Sequence, residues 1–167
     1  MSIAPAIVVD SREQQPLIFA NLPTEPGTLD AGDYSIAGLT HLVAVERKSL
    51  PDLLSCVGRE RARFVRELRR LLGYRFRALV IEASLPELEA GEWRSKLKPS
   101  HVLGSLTAWQ ARYSLPVVFA GNRAAAGRYV EKFLYQCART VAMELDAARA
   151  FVAVATPGDA PVPGGTI

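Results

Sequence analysis

The sequence predicts an α/β domain in which α-helices flank a mixed central β-sheet. Three observations carry this. Two short β-like runs, 33–37 and 42–47, are separated by a brief turn candidate at 38–41, the layout of a β-hairpin. Two later runs, 77–82 and 115–120, are almost continuously aliphatic, as strands buried on both faces are. Stretches with helical spacing of apolar residues surround these runs. A hairpin followed by strand–helix units builds a mixed sheet with helices packed on it.

Each element has its own signal. The run 6–10 (Ala6-Ile7-Val8-Val9-Asp10) is a strand ending in an acid. The hairpin 33–37/42–47 turns through Gly38 to His41. Ser49-Leu50-Pro51-Asp52 reads as a helix start: Ser49 can cap it, and Asp52 in the first turn favours the helix dipole. That helix is expected over 50–57. A second, over 59–72, has Phe64, Leu68, Leu71 and Leu72 on an inward face. Strand 77–82, helix 99–113 and strand 115–120 follow. The last helix is expected over 123–154, with a break within it left open. Proline, glycine and alanine dominate 155–167, which predicts a disordered tail beyond a single domain over 1–154.

Composition excludes several classes. No apolar run is long enough to span a membrane. Met1 to Pro5 lead straight into the first strand without the pattern of a signal peptide. Cys56 and Cys137 are far apart and in no zinc-binding spacing, so they read as reduced core thiols of a cytoplasmic protein. His41 and His101 have no partners at metal spacing. The stretch from Gly121 lacks the Gly-Lys-Ser/Thr of a phosphate loop, and no internal repeat is present. A net charge of +3 is too modest to prove a nucleic-acid partner.

The distribution of charge says more. If the hairpin turn is centred between Leu39 and Thr40, Asp33 lies directly opposite Glu46, on the same face and with Cβ atoms about 5 Å apart. Alternation along the strand puts Lys48 on that face too, while Val43, Val45 and Arg47 point the other way. A one-residue slip in register would undo the cluster. Opposed acids repel unless a cation or proton compensates, so the arrangement points to a ligand. Carboxylates that hold a hard cation such as magnesium, beside an ammonium, are what metal-dependent cleavage of a phosphodiester requires. Asp10-Ser11-Arg12-Glu13 can add a further acid. Downstream, eight arginines lie between positions 59 and 77. Arg59, Arg63, Arg66 and Arg70 share one helical face, a stripe able to grip a phosphate backbone without reading sequence. A solvated helix face with arginines paired to acids explains the same pattern.

Gly32-Asp33 and Glu46-Arg47-Lys48-Ser49-Leu50-Pro51-Asp52, with Asp10-Ser11-Arg12-Glu13 before them, resemble the signature of the XPF-type structure-specific endonucleases, within the PD-(D/E)xK superfamily. The likeness extends through Gly58-Arg59 to about Arg139. It implies a restriction-endonuclease-like fold and a Mg2+-dependent DNA endonuclease, with Mn2+ able to substitute, that leaves a 5′-phosphate and a 3′-hydroxyl. Asp33 and Glu46 would be the main metal ligands and Asp10 would complete the cluster. Glu13 and Asp52 would serve as ligands or brace them. Lys48 would position water or stabilise the transition state. Arg47 would belong to the catalytic group, although strand alternation favours a structural role. Arg12, Arg47 and Arg59 would contact phosphate or brace the acids. The family's dimers imply a homodimer or a helper DNA-binding protein. Helix 123–139, with Tyr129, Phe133 and Leu134, offers one interface, and an amphipathic core helix explains it equally. No helix–hairpin–helix pattern follows in these residues, so a compact form is expected, acting on branched DNA near the nucleoid. A non-catalytic DNA-binding or scaffold subunit and a general DNA-degrading nuclease are the alternatives.

Overall fold

The Val- and Ile-rich runs become strands of one sheet in a computed structural model that describes residues 5–155. The strands are β1 (Ile7–Asp10), β2 (Thr24–Gly27), β3 (Tyr34–Ile36), β4 (Val43–Lys48), β5 (Phe76–Ile81) and β6 (Val117–Phe119), in spatial order β2-β1-β3-β4-β5-β6. β3 runs antiparallel to both β1 and β4, and the remaining neighbours are parallel. The sheet is therefore mixed, as predicted. The helices are α1 (Leu50–Val57), α2 (Arg61–Leu71), α3 (Leu85–Ala90), α4 (Pro99–Tyr113) and α5 (Arg123–Ala155).

Side-chain alternation on β4 and β5 divides the core in two. Ala44, Leu79 and Ile81 pack against Leu53 of α1, Phe64 and Leu68 of α2, and Leu106 and Trp109 of α4. Phe64 and Trp109 meet edge to face, with centroids 5.3 Å apart. On the other face Val43, Val45, Ala78 and Val80 meet Ala126, Val130 and Leu134 of α5. Burial of these aliphatic side chains, about 1.5–3 kcal/mol each, clamps the sheet between its helices.

The hairpin register is the predicted one. Tyr34 pairs with Val45, which puts Asp33 opposite Glu46. Asp33 precedes β3 by one residue, and its N–H donates to the Val45 carbonyl at 2.8 Å. Gly32 makes this approach possible. Its φ is +77°, and a Cβ there would lie 2.9 Å from the Val45 oxygen. Only glycine meets both conditions.

Four elements differ from expectation. β2 went unpredicted because Thr24-Glu25-Pro26-Gly27 is polar and contains proline, composition that suits only an edge strand. α3 has clear signals, a Ser84/Glu87 capping box and a left-handed Gly91, but spans only six residues. α2 starts at Arg61, leaving Arg59 in the preceding turn. β6 is half-buried rather than buried on both faces, because it forms the opposite sheet edge. α5 runs without a break to Ala155, and the rest of the expected tail, 156–167, lies outside the described residues. Cys56 and Cys137 are free and buried. Among the described residues, no helix is long and apolar enough to cross a membrane.

Candidate active site

β4 presents Glu46 and Lys48 to the space in front of α2, and the backbone at Gly32 delivers Asp33 beside them. They line a cavity of about 260 Å³ together with Asp10 and Arg12 from the end of β1 and Arg63, Glu67 and Arg70 from α2. The Lys48 ammonium is ion-paired to the Glu46 carboxylate and sits 5.2 Å from the centre of the Phe64 ring. Asp33 Oδ2 accepts the Arg47 N–H at 2.7 Å.

This face carries uncompensated negative charge. Burial, then repulsion from Glu46, pushes the Asp33 carboxyl up to about 7, against the pull of Lys48. Burial likewise raises Glu46, with Lys48 opposing it. Burial disfavours the Lys48 ammonium, yet Glu46 and Asp33 outweigh it and hold the lysine above its ordinary value. Two acids reluctant to ionise together, beside a firmly charged lysine, form a place where a cation would be favourable.

Asp10 is in a different state. The Arg12 side chain holds its carboxyl down at about 2, against the effect of burial. Arg12 Nε reaches Oδ1 at 2.7 Å and another guanidinium nitrogen reaches Oδ2 at 2.9 Å. The backbone N–H groups of Arg12 and Leu29 donate to the same two oxygens at 2.9 and 2.8 Å. Four donors exhaust the lone pairs of one carboxylate. Among the described residues, by contrast, no donor reaches Asp33 Oδ1 or Glu46 Oε2.

Among the described residues, no group of three or more acid, histidine or cysteine donors stands ready to enclose a metal. The donor set still suits magnesium. That ion commonly takes one or two carboxylates and keeps several waters, and Asp33 and Glu46 offer two open oxygens.

The other predicted residues fall into distinct places. Arg47 points to the opposite face, as the alternation of β4 requires. Its guanidinium bonds Glu13 at 3.1 Å, Glu82 at 3.0 Å and the Gln15 carbonyl at 3.1 Å. The catalytic group expected of the signature is thus split: Arg47 sits in an ion network on the face away from Lys48, and Glu13 is engaged by it there. Asp52 does not line the cavity: it accepts the Ser49 hydroxyl at 2.6 Å and donates its N–H back as part of the α1 cap. Arg59 turns away and contacts Ser55. Arg63 lines the cavity but is paired with Glu60 and Glu67. Arg70 lines it too, and Arg66 is exposed on the same helix. Leu134, expected at an interface, is fully buried against the sheet, whereas Tyr129 is 36% exposed. Glu67 and Asp30 are cavity residues that the sequence reading missed. The spacing of Arg63, Glu67 and Arg70, at i, i+4 and i+7, was a usable signal for Glu67.

A mixed sheet whose central hairpin gathers the half-buried Asp33, the buried Glu46 and a lysine on one face has the restriction-endonuclease-like architecture. Within that architecture the chain belongs to the ERCC4 domain family, whose match covers residues 9–133. Among solved structures it is similar to XPF from Aeropyrum pernix, with a TM-score of 0.65 and 18% identity over 80% of this chain and 61% of that one. It is similar also to XPF from Aeropyrum pernix in complex with DNA, with a TM-score of 0.63 and 19% identity over 81% of this chain and 66% of that one. The chain thus has the fold of the XPF nuclease domain and spans less than two thirds of the length of those relatives. No curated protein shows significant sequence similarity to it.

Proposed function

We propose that this chain is a metal-dependent DNA endonuclease acting near branches, flaps or single-strand/double-strand junctions. The convergence of Asp33, Glu46 and Lys48 on one face, with open oxygens on both acids, carries this reading. Family membership and the DNA complex of the Aeropyrum relative support DNA as the substrate.

Asp33 and Glu46 would hold Mg2+, or Mn2+ in its place, which when bound lowers the pKa of water and neutralises phosphate charge. Lys48, fixed by Glu46 and kept charged, orients water or a phosphate oxygen and stabilises the charge that builds up there. Arg70, Arg66 and, once freed from its acids, Arg63 lie where they can grip the DNA backbone. The exposed Tyr129 and Tyr135 of α5 offer a surface for a homodimer or helper DNA-binding protein. A nucleoid-associated, cytoplasmic setting follows from such a substrate.

Incubation with end-labelled flap, fork, junction and linear duplex DNA, in Mg2+, Mn2+ or EDTA, tests the reading. Metal-dependent cuts near branches, lost in Glu46→Ala, are expected. Equal cutting of every substrate would make it a general DNA-degrading nuclease. No cutting in either metal would favour a non-catalytic DNA-binding subunit.

A further inference from the structure

Asp10 belongs to the acidic cluster, yet it is the one acid there with no lone pair to offer a metal. Both of its oxygens are filled by two guanidinium nitrogens of Arg12 and two backbone N–H groups. The same guanidinium also donates to the Leu29 carbonyl at 2.6 Å. The two carboxylates beside it each keep an open oxygen. The inequality between the two partners decides what can change. The Asp10 side chain is 3% exposed, while that of Arg12 is 70% exposed. The acid cannot leave its place, but the arginine can swing outward. What would draw it out is another planar set of oxygens, and guanidinium pairs with phosphate in two-pronged fashion as it does with carboxylate. Arg12 lines the cavity where a scissile phosphate would lie.

We propose that Arg12 is a phosphate-released clasp on Asp10. In the DNA-free protein it fills the acid and keeps it from the metal. A DNA phosphate that captures the guanidinium frees two lone pairs of Asp10 for the cation, so the full ligand set assembles only on substrate. Arg12 is a positioning residue in this scheme, and the proposal rests on the nuclease reading above.

Mn2+ titration of the DNA-free, full-length protein, followed by electron paramagnetic resonance, tests it without any cleavage. In the wild type, Asp10→Asn should leave Mn2+ affinity unchanged, whereas Asp33→Asn and Glu46→Gln should abolish binding. Arg12→Ala should tighten binding about tenfold, the effect of one added charged ligand, and adding Asp10→Asn should cancel that gain. Should Arg12→Ala fail to fold, as judged by circular dichroism, Arg12→Lys serves instead, since it loses the two-pronged grip and should show a smaller gain. A second readout uses metal-free protein in EDTA. The Arg12 Nε–H resonance should be protected from solvent exchange in the wild type, exposed in Asp10→Asn, and shifted by duplex DNA. Glu46-dependent binding that Arg12→Ala leaves unchanged would overturn the clasp alone. So would a loss on Asp10→Asn as large as that on Asp33→Asn. Absence of any Glu46-dependent Mn2+ binding would remove the nuclease reading and the clasp with it.

Discussion

The two faces of β4 use the same kinds of residue to opposite ends. On one face Glu46 and Lys48 meet Asp33, leaving two carboxylates raised above their ordinary range. On the other, Arg47 lies between Glu13 and Glu82, with side-chain exposures of 7%, 10% and 11%. The second face is an ion network with a cation for each acid, because Arg47 bridges both and Arg123 approaches Glu82 at 3.8 Å. The first is one cation short. The number of acids and their burial are similar, so proximity of acids does not by itself distinguish a site. The distinguishing quantity is the number of lone pairs left without a donor.

The largest expected effect falls on the deficient face. Asp33→Asn or Glu46→Gln should lower kcat by about 10³-fold in steady-state cleavage of a labelled fork, while circular dichroism stays native. Turnover within tenfold of wild type would erase the contrast between the faces. Lys48→Ala should cost about 10²-fold in kcat with little change in DNA affinity. Equal losses in both would make Lys48 a simple phosphate grip.

On the compensated face the damage should be to the fold instead. Arg47→Ala leaves poorly solvated Glu13 without its cation and Glu82 with only the longer contact to Arg123, a change that costs about 3 kcal/mol in urea unfolding. Normal stability with lost turnover would return Arg47 to the catalytic group.

A smaller effect separates the faces by pH. Burial and Glu46 raise Asp33 from 3.8 to about 7, so between those values the metal-free fold holds a proton that the unfolded chain has lost. Stability therefore falls as pH rises through that window. Asp33→Asn should melt higher than wild type at pH 8 without metal, by about 2–4 °C for each kcal/mol of repulsion relieved, and equally at pH 3. Added Mg2+ should raise the wild-type Tm and not that of the variant. Smallest is the basic stripe: replacing Arg66 and Arg70 should reduce the slope of log affinity against log salt by about 2. Arg63, occupied by Glu60 and Glu67, should contribute less.

Much of this was legible in the sequence because a few residues fix geometry locally. The turn centred at Leu39-Thr40 sets the register that opposes Asp33 to Glu46, and the Ser49 cap with Pro51 starts α1 where expected. Strand alternation likewise placed Arg47 away from Lys48. What escaped the reading depends on distant partners. β2 exists only because β1 offers it an edge. Asp52 shares the signature spacing but is absorbed by its own helix cap. Arg59 lost its place in the stripe because α2 begins two residues later than the arginine periodicity suggests. The saturation of Asp10 could not be foreseen at all, since it takes Leu29, nineteen positions away, to complete it.

β2 has a bearing on how the molecule behaves in a crowded solution. Ile7 donates its N–H to Pro23 and Ser11 donates to Gly27, so odd-numbered carbonyls of β2 face β1 and the nitrogen of Pro26 faces outward. A strand arriving from another molecule would find no donor at Pro26 and the charge of Glu25 beside it. That edge resists extension into intermolecular sheets, the route by which open β-edges seed aggregates. Pro26→Val is the substitution that would turn a self-limiting sheet into one that can polymerise.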